Sequence, residues 1–117
     1  MRNFKELKIW QKGFQLAINS YKITAAFPAN ERFVTSQINR AAVSIPSNIA
    51  EGSSRSSAKE YNHYIEISLS SCFELETQLL IAKELNYSNP EILSGVMAHL
   101  TEEEKMLTAF RKLLSNV

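Results

Sequence analysis

The sequence predicts an all-α fold, an antiparallel up-down four-helix bundle formed by residues 1–117 as a single domain. Apolar residues recur at three- and four-residue steps in four segments, and no segment alternates in the manner of a β-strand. The chain has only three glycines and three prolines, too few for the turns of a β-sandwich. Four helices joined by short connections form such a bundle. We expect them at about residues 4–25, 30–51, 58–86 and 90–115.

Each of the first two helices has an apolar face. In the first helix, the residues expected to face the core are Leu7, Trp10, Phe14, Ala17, Ile18 and Tyr21. Phe27-Pro28 ends this helix, because the residue before a proline is disfavoured in the helical conformation. In the second helix, the expected core residues are Ile38, Ala42, Ile45 and Ile49. Gly52 is expected just past its end.

Pro46 lies inside the second helix. Its nitrogen has no hydrogen to donate to the Ala42 carbonyl, so we expect a kink there, at a cost of about 3 kcal/mol. Packing or assembly must offset that cost.

The third and fourth helices begin at recognisable caps. Ser57 and Glu60 fit a capping box, and Asn89-Pro90-Glu91 combines a cap, a first-turn proline and a carboxylate. The expected buried residues of the third helix are Tyr61, Ile65, Ser68, Cys72, Leu75, Leu79 and Ala82. Those of the fourth helix are Ile92, Val96, Leu100, Leu107, Phe110 and Leu114. The run Thr101–Glu104 is expected to be a solvated acidic patch.

The charges are unevenly distributed along the chain. The formal net charge is +1, but residues 1–59 contain nine Lys or Arg against three Glu, whereas residues 60–117 contain four against nine. The two halves either neutralise each other within one bundle, form a basic surface for nucleic acid, or provide complementary faces that meet between copies of the chain.

Cysteine content and hydropathy indicate the compartment. Cys72 is the only cysteine and cannot form an internal disulfide, which favours a reducing, cytoplasmic location. No apolar run resembles a signal peptide or approaches the roughly 18 residues that a membrane span needs. We therefore expect no membrane contact.

A line of polar side chains, which we call the polar stripe, lies beside the apolar face of the second helix. Its members are Gln37, Arg40, Ser44, Asn48 and Glu51. One interpretation is that they pair with neighbouring helices and hold a single chain in register. The density of five polar positions favours another interpretation, a partly buried network near a subunit boundary. Removal of one partner from such a network leaves a polar group unpaired, at a cost of about 1–3 kcal/mol.

Four basic residues at the start of the chain are candidates for contact with nucleic acid. They are Arg2, Lys5, Lys8 and Lys12. The three lysines are spaced by three and four residues and would share one flank of a helix, as phosphate contact requires. A solvated outer face has the same pattern in one copy, and a ring of subunits would multiply the patch.

No arrangement of residues in the sequence indicates a catalytic, cofactor-binding or metal site. Glu60 and His63 have the Glu-x-x-His spacing of di-iron bundles, but Val96 stands where a second copy ending at His99 needs its glutamate. Cys72 has no histidine placed nearby in the sequence to activate it, and a small buried thiol is the simpler interpretation. We therefore predict a protein that is not an enzyme and that needs no cofactor.

Several motifs together resemble those of a known family. They are Phe4-x-x-Leu7-x-x-Trp10, Tyr21, Phe27-Pro28-x-x-Glu31-Arg32, Ser36-Gln37-x-x-Arg40-Ala41-x-x-Ser44-Ile45-Pro46-x-Asn48-Ile49-Ala50-Glu51-Gly52 and Glu74-Leu75-x-Thr77-Gln78-Leu79. On these motifs the chain resembles, over nearly its whole length, the four-helix-bundle proteins encoded in intervening sequences of bacterial large-subunit ribosomal RNA genes. That family is similar in turn to the accessory protein of diversity-generating retroelements, a basic pentameric barrel that binds nucleic acid and a reverse transcriptase.

The resemblance implies a closed homo-oligomeric ring, a pentamer, without an established catalytic activity. Family members commonly have a basic residue followed by Gly-Ser in the third helix, where this chain has Leu69-Ser70-Ser71; the lost charge favours a protein partner or a scaffold role. Our leading hypothesis is a non-enzymatic homo-oligomeric interaction module that binds RNA, DNA or a nucleic-acid-handling protein. The alternative is a structural adaptor that binds another polypeptide without nucleic-acid contact.

Overall fold

The computed structural model describes residues 3–117, which form four α-helices preceded by a short 3₁₀ turn. The 3₁₀ turn spans Phe4–Glu6, and the helices are α1 (Lys8–Thr24), α2 (Arg32–Ser53), α3 (Ala58–Glu84) and α4 (Pro90–Ser115). No strand occurs among these residues. The predicted all-α four-helix bundle is confirmed.

The helices pack side by side into a bundle 45 Å long with a cross-section of 21 × 20 Å. α2 packs between α1 and α3, and α4 packs against α3 and α1. Along the contact between α2 and α3, residue numbers increase in one helix as they decrease in the other. Gly52 approaches Tyr61, whereas Ser44 lies beside Ser71. This is the contact pattern of antiparallel neighbours.

The predicted caps of α3 and α4 are present. The backbone N–H of Glu60 donates to Ser57 Oγ at 3.1 Å, and that of Glu91 donates to Asn89 Oδ1 at 2.8 Å. The Glu60 carboxylate accepts a hydrogen bond from the Ser57 hydroxyl, at 3.2 Å, instead of from an end amide. These bonds satisfy first-turn amides that have no partner within the helix.

Two features differ from the boundaries predicted for the first two helices. The first segment is not one helix, because Leu7 has an extended backbone (φ −75°, ψ 130°) between the 3₁₀ turn and α1. Gly52 lies inside α2 and not past its end. A methyl group added at Gly52 would lie 2.8 Å from Tyr64 Cβ, so this glycine permits the close approach of α3.

The predicted core residues of α2 and α3 are all buried. Ile38, Ala42, Ile45 and Ile49 have no exposed surface. All seven residues predicted for α3 are buried as well. The Ser68 hydroxyl donates to the Ile45 carbonyl at 2.9 Å, so a small polar residue is satisfied where the two helices meet.

The predicted core face of α1 is wrong for its aromatic part. Phe14 is 47% exposed, Ile18 38% and Tyr21 50%. Leu7 and Trp10 pack at the edge of the core, and Ala17 is buried as predicted. The buried residues of α1 are Ile9, Gly13, Leu16, Ala17, Ser20, Ile23 and Thr24. Small residues on this face let α1 approach its neighbours closely.

The prediction for α4 is wrong at two positions. Ile92 is exposed and its neighbour Leu93 is buried. Glu103, predicted to belong to a solvated acidic patch, has no exposed surface. It lies between Leu100 and Leu107 in the buried line of the helix, so its position and not its polarity decides its burial.

Candidate interaction surface

The polar stripe lies along the boundary between α2 and α3. Asn48 Nδ2 donates to the carbonyl and to the hydroxyl of Ser44, at 2.8 and 2.9 Å. The hydroxyls of Ser44 and Ser71 are hydrogen-bonded at 2.8 Å. Ser71 is buried, while Ser44 and Asn48 are half-buried. The middle of the stripe therefore has partners within the chain.

The ends of the polar stripe are more exposed. Arg40 Nη2 donates to Gln37 Oε1 at 3.3 Å on the same helix. Glu51 Oε2 accepts from Arg55 Nη2 at 2.9 Å, and the Arg55 guanidinium lies 4.7 Å from the centre of the Tyr64 ring. Arg40 and Glu51 themselves are exposed, and another chain can reach both.

The basic residues do not share one continuous helical flank. Arg2 lies outside the described residues. Lys5 belongs to the 3₁₀ turn, so the extended Leu7 separates it from Lys8 and Lys12 on α1. Lys12 Nζ forms an ion pair with Glu102 Oε2 at 2.9 Å, whereas Lys5 and Lys8 are exposed.

An apolar groove of about 400 Å³ runs between α1 and α2 on the outside of the bundle. We call it the groove. Its walls are formed by Trp10, Phe14, Ala17, Ile18, Tyr21, Val43, Pro46, Ser47 and Ala50. The rings of Trp10 and Phe14 stack with their centroids 5.1 Å apart. The groove leaves the apolar side chains of Phe14, Ile18, Tyr21 and Val43 partly exposed.

Gly13 explains why the aromatic side chains of α1 face outward. A methyl group added at Gly13 would lie 2.9 Å from Glu103 Oε2 and 3.1 Å from Ile45 Cγ2. α1 therefore packs against α2 and α4 through this glycine. Phe14 follows it by about 100° around the helix, which turns its ring away from the core.

The carboxyl group of Glu103 lies in the core, against Gly13 of α1. Neither of its oxygens has a hydrogen-bond partner among residues 3–117. It lies at the close contact of Gly13 with α2, near the backbone nitrogen of Pro46. Burial raises the pKa of Glu103 to about 8, against an opposing effect of the Lys12 charge. Glu103 is therefore mostly protonated at pH 7.

Two other groups in this region have shifted pKa values. Burial raises the pKa of Glu104 to about 8, together with a hydrogen bond to Glu76 and the charge of that residue. Burial also raises the pKa of the Cys72 thiol, with smaller contributions from neighbouring glutamates. Cys72 has no exposed surface. A buried thiol with a raised pKa is a packing residue and not a nucleophile.

The described residues contain neither a metal cluster nor a membrane span. Within residues 3–117, no three or more His, Cys, Asp or Glu side chains come close enough together to hold a metal ion. None of the helices in this range is long and apolar enough to cross a membrane. The molecule is of the class of small helical-bundle proteins, with an exposed apolar groove beside a half-buried polar stripe.

Comparison with known proteins defines the family. The profile of the 23S rRNA-intervening sequence proteins matches residues 5–109, and the chain belongs to this family. No curated protein matches the chain. Among solved structures, it is similar to a protein of unknown function from the S23 ribosomal protein family of Bacteroides thetaiotaomicron. The two are 25% identical with a TM-score of 0.78, and the match covers 89% of this chain and 98% of that one.

Sequence reasoning missed the groove because it assigned the aromatic residues of α1 to the core. The available signal was the second line of small residues on the same helix, Gly13, Ala17 and Ser20. Small residues at the spacing of one helix face permit close contact with neighbouring helices. Phe14 and Tyr21, on the other side of the helix, then remain exposed.

Proposed function

We propose that this chain is a non-enzymatic interaction module that assembles with copies of itself into a closed ring, a pentamer by its family resemblance. The observation that supports this proposal best is the exposed groove. Phe14, Ile18, Tyr21 and Val43 are each between 38 and 50% exposed and lie side by side. Contact with another chain removes this apolar surface from water.

Burial of these four side chains supplies part of the association energy. Full burial of one large apolar side chain is worth about 1.5–3 kcal/mol, and each is already half-buried, so the four together contribute about 3–6 kcal/mol. Association costs at least about 4 kcal/mol in lost translation and rotation. Further contacts are therefore needed, and the exposed ends of the polar stripe, Arg40 and Glu51, are proposed to supply some of them.

Light scattering coupled to size-exclusion chromatography tests self-assembly. The wild-type chain is expected to have a mass that is a multiple of 13.3 kDa, five times that value for a pentamer. The double variant Phe14→Ser with Val43→Ser is expected to lose the assembly. Ile92→Ser, an exposed apolar residue of α4 outside the groove, is the matched control and should assemble normally. A monomeric wild type contradicts the proposal.

The polar stripe is tested by truncating its ends. Arg40→Ala and Glu51→Ala are expected to weaken the assembly, because each removes a polar contact at the subunit boundary. Lys12→Ala is the control, since Lys12 pairs with Glu102 inside the chain. Equal and negligible effects of all three substitutions would exclude the polar stripe from the interface.

Contact with nucleic acid is a second proposed function of the same assembly. It is supported by the ribosomal RNA context in the name of the family and by the exposed side chains of Lys5 and Lys8. Assembly into a ring would repeat this pair, together with Arg2, in every subunit. Leu69 stands where family members commonly have a basic residue. Its side chain is buried and uncharged. Fewer phosphate contacts per chain are therefore expected.

Binding of a fluorescently labelled stem-loop RNA at several salt concentrations tests this function. Each phosphate contact contributes about 0.7–0.9 to the slope of log K against log salt. Lys5→Ala with Lys8→Ala is expected to reduce the slope, whereas Lys59→Ala, an exposed lysine of α3, should leave it unchanged. A ring that binds no RNA at low salt supports instead the adaptor role toward another polypeptide. In either role we propose a cytoplasmic location, where a free thiol stays reduced.

A further inference from the structure

Glu103 places a carboxyl group in the interior of the bundle, and the functions proposed above do not use it. Its side chain has no exposed surface, and neither oxygen has a hydrogen-bond partner among residues 3–117. At neutral pH the group is mostly protonated, because burial raises its pKa to about 8. A protonated carboxyl group has one O–H donor, and a buried donor of this kind is normally paired with an acceptor.

The second helix has an acceptor that lacks its regular donor. In an α-helix the N–H of each residue donates to the carbonyl four residues earlier, so an N–H at position 46 would bond to the carbonyl of Ala42. Pro46 is buried inside α2 and has no N–H. Ala42 has no exposed surface, so bulk water does not reach its carbonyl either.

Gly13 of α1 brings the two groups into one region. The position that a Cβ atom would occupy at Gly13 lies 2.9 Å from Glu103 Oε2 and 3.5 Å from the backbone nitrogen of Pro46. These two atoms are therefore separated by no more than the sum of the two distances. The Ala42 carbonyl points along the helix toward the Pro46 nitrogen, so it is directed at the same region.

We propose that the acid O–H of Glu103 donates a hydrogen bond to the carbonyl oxygen of Ala42, in place of the N–H that Pro46 lacks. The bond supplies the donor with an acceptor and the carbonyl with a donor, and so removes two unpaired groups at once. It also joins α4 to α2. Within residues 3–117 these two helices do not pack directly against each other, since each packs against α1 and α3. Glu103 thus connects opposite helices across the bundle.

The connection depends on a proton and is therefore sensitive to pH. Ionisation of Glu103 removes the O–H and leaves a carboxylate facing a carbonyl oxygen, two groups that can only accept. The bond is present while the folded chain keeps this proton and is lost as pH rises through about 8. Alkaline pH then weakens the link between α2 and α4 and loosens the interior of the bundle.

The surroundings of Glu103 do not compensate its charge. The nearby titratable groups lie on three helices: Lys12 on α1, Cys72 and Glu76 on α3, and Glu102 and Glu104 on α4. Lys12 is the cation of this set, and its ammonium group already pairs with Glu102 at 2.9 Å. The α2 residues nearest to Gly13, Ile45 and Pro46, do not titrate.

A double-mutant cycle tests the pairing of Glu103 with the carbonyl of α2. Glu103→Met removes the donor and keeps a side chain of similar length, whereas Pro46→Ala supplies the missing N–H. Urea unfolding at pH 5 and one chain concentration gives the unfolding equilibrium constants of the wild type, both single variants and the double variant. Glu103→Met is expected to raise this constant at least about threefold more in the wild-type background than in the Pro46→Ala background.

Glu102→Met on the same helix is the matched control for the cycle. Glu102 is exposed and pairs with Lys12, so its effect should simply add to that of Pro46→Ala. Equal effects of Glu103→Met in the two backgrounds overturn the inference.

Infrared spectroscopy of the wild type gives a second test, which decides the question where Pro46→Ala does not fold. At pH 6.5 carboxyl groups with ordinary pKa values are ionised, so the carbonyl stretch of protonated acids reports Glu103 and Glu104. Glu103→Gln and Glu104→Gln assign the two bands. The Glu103 band is expected at the lowered frequency of a hydrogen-bonded acid and should disappear as pH rises through about 8. A band at the frequency of a free acid, or no Glu103 band at pH 6.5, overturns the inference.

Discussion

Replacement of Glu103 by glutamine tests the protonation state of this buried carboxyl group. Burial raises its pKa from 4.5 to about 8, so the folded chain keeps a proton between these pH values that the unfolded chain releases. Because the unfolded state binds fewer protons in this window, the free energy of unfolding decreases as pH rises through it. Glutamine has nearly the same shape and does not ionise. The variant should therefore lose this part of the pH dependence.

The expected magnitude follows from the size of the shift. Each pH unit between the two pKa values corresponds to about 1.4 kcal/mol. We therefore expect Glu103→Gln to match the wild type near pH 4.5 and to be more stable by about 3 kcal/mol at pH 7. A single-domain protein has a free energy of unfolding of only about 5–15 kcal/mol, so the difference is large.

Urea unfolding followed by the fluorescence of Trp10, the only tryptophan, measures this effect. Both proteins are compared at one chain concentration between pH 4.5 and 8.5, because assembly also changes the measured stability. Glu104, whose pKa is also raised to about 8, should leave a residual slope in both proteins.

Glu102→Gln on the same helix is the matched control, and its effect should have the opposite sign. The ion pair with Lys12 lowers the pKa of Glu102, so the pair stabilises the folded chain above its ordinary pKa and loses this effect as pH falls. We expect this variant to be slightly less stable than the wild type at pH 7 and equal to it in acid. Parallel stability profiles of the wild type and Glu103→Gln between pH 5 and 8 would refute the reasoning.

Three further predictions concern close packing and burial. Gly52→Ala should destabilise the chain by about 1–3 kcal/mol in urea unfolding, because the added methyl would lie 2.8 Å from Tyr64 Cβ and 3.2 Å from the Tyr61 carbonyl oxygen. Gly95→Ala, with nothing within 4 Å of the added methyl, should instead stabilise it by about 0.5–1 kcal/mol; a loss of stability there contradicts the comparison. Cys72 should react with a thiol reagent at pH 8 at least about 100-fold more slowly in the folded chain than in urea, and fast labelling of the folded chain contradicts its burial.

The sequence was sufficient for α2 and α3 because their core residues recur at the regular spacing of one helix face. The seven predicted residues of α3 include Ser68 and Cys72, and both are buried as expected. The first residues of α3 and α4, Ala58 and Pro90, were also predictable. A cap is a local interaction between residues two or three positions apart. The all-α fold follows from such local signals.

The sequence was not sufficient for α1, because apolar periodicity does not distinguish a core face from a surface that contacts another chain. α1 has both kinds of face. Ile9, Leu16 and Ile23 are buried, whereas Phe14 and Tyr21 are about half exposed. The choice between them is made by tertiary packing at Gly13, which depends on side chains of α2 and α4.

Glu103 was missed for a related reason. In the sequence it stands in a run of three glutamates, and a carboxylate is rarely buried without a partner. Its neighbours Glu102 and Glu104 are exposed and half-buried. Only the positions of Leu100 and Leu107 on either side indicate that Glu103 faces inward.

The positions of Pro46 and Glu103 relate the core to the surface above it. Pro46 lines the groove, and its backbone nitrogen lies at the close contact of Gly13 beside Glu103. A proline there has no N–H, so α2 lacks one helical hydrogen bond where Gly13 of α1 contacts it. Taken separately, the unpaired carboxyl and the missing hydrogen bond are both unfavourable for an isolated chain. Both lie where Gly13 brings α1 against α2 and α4, so the close packing of three helices surrounds them.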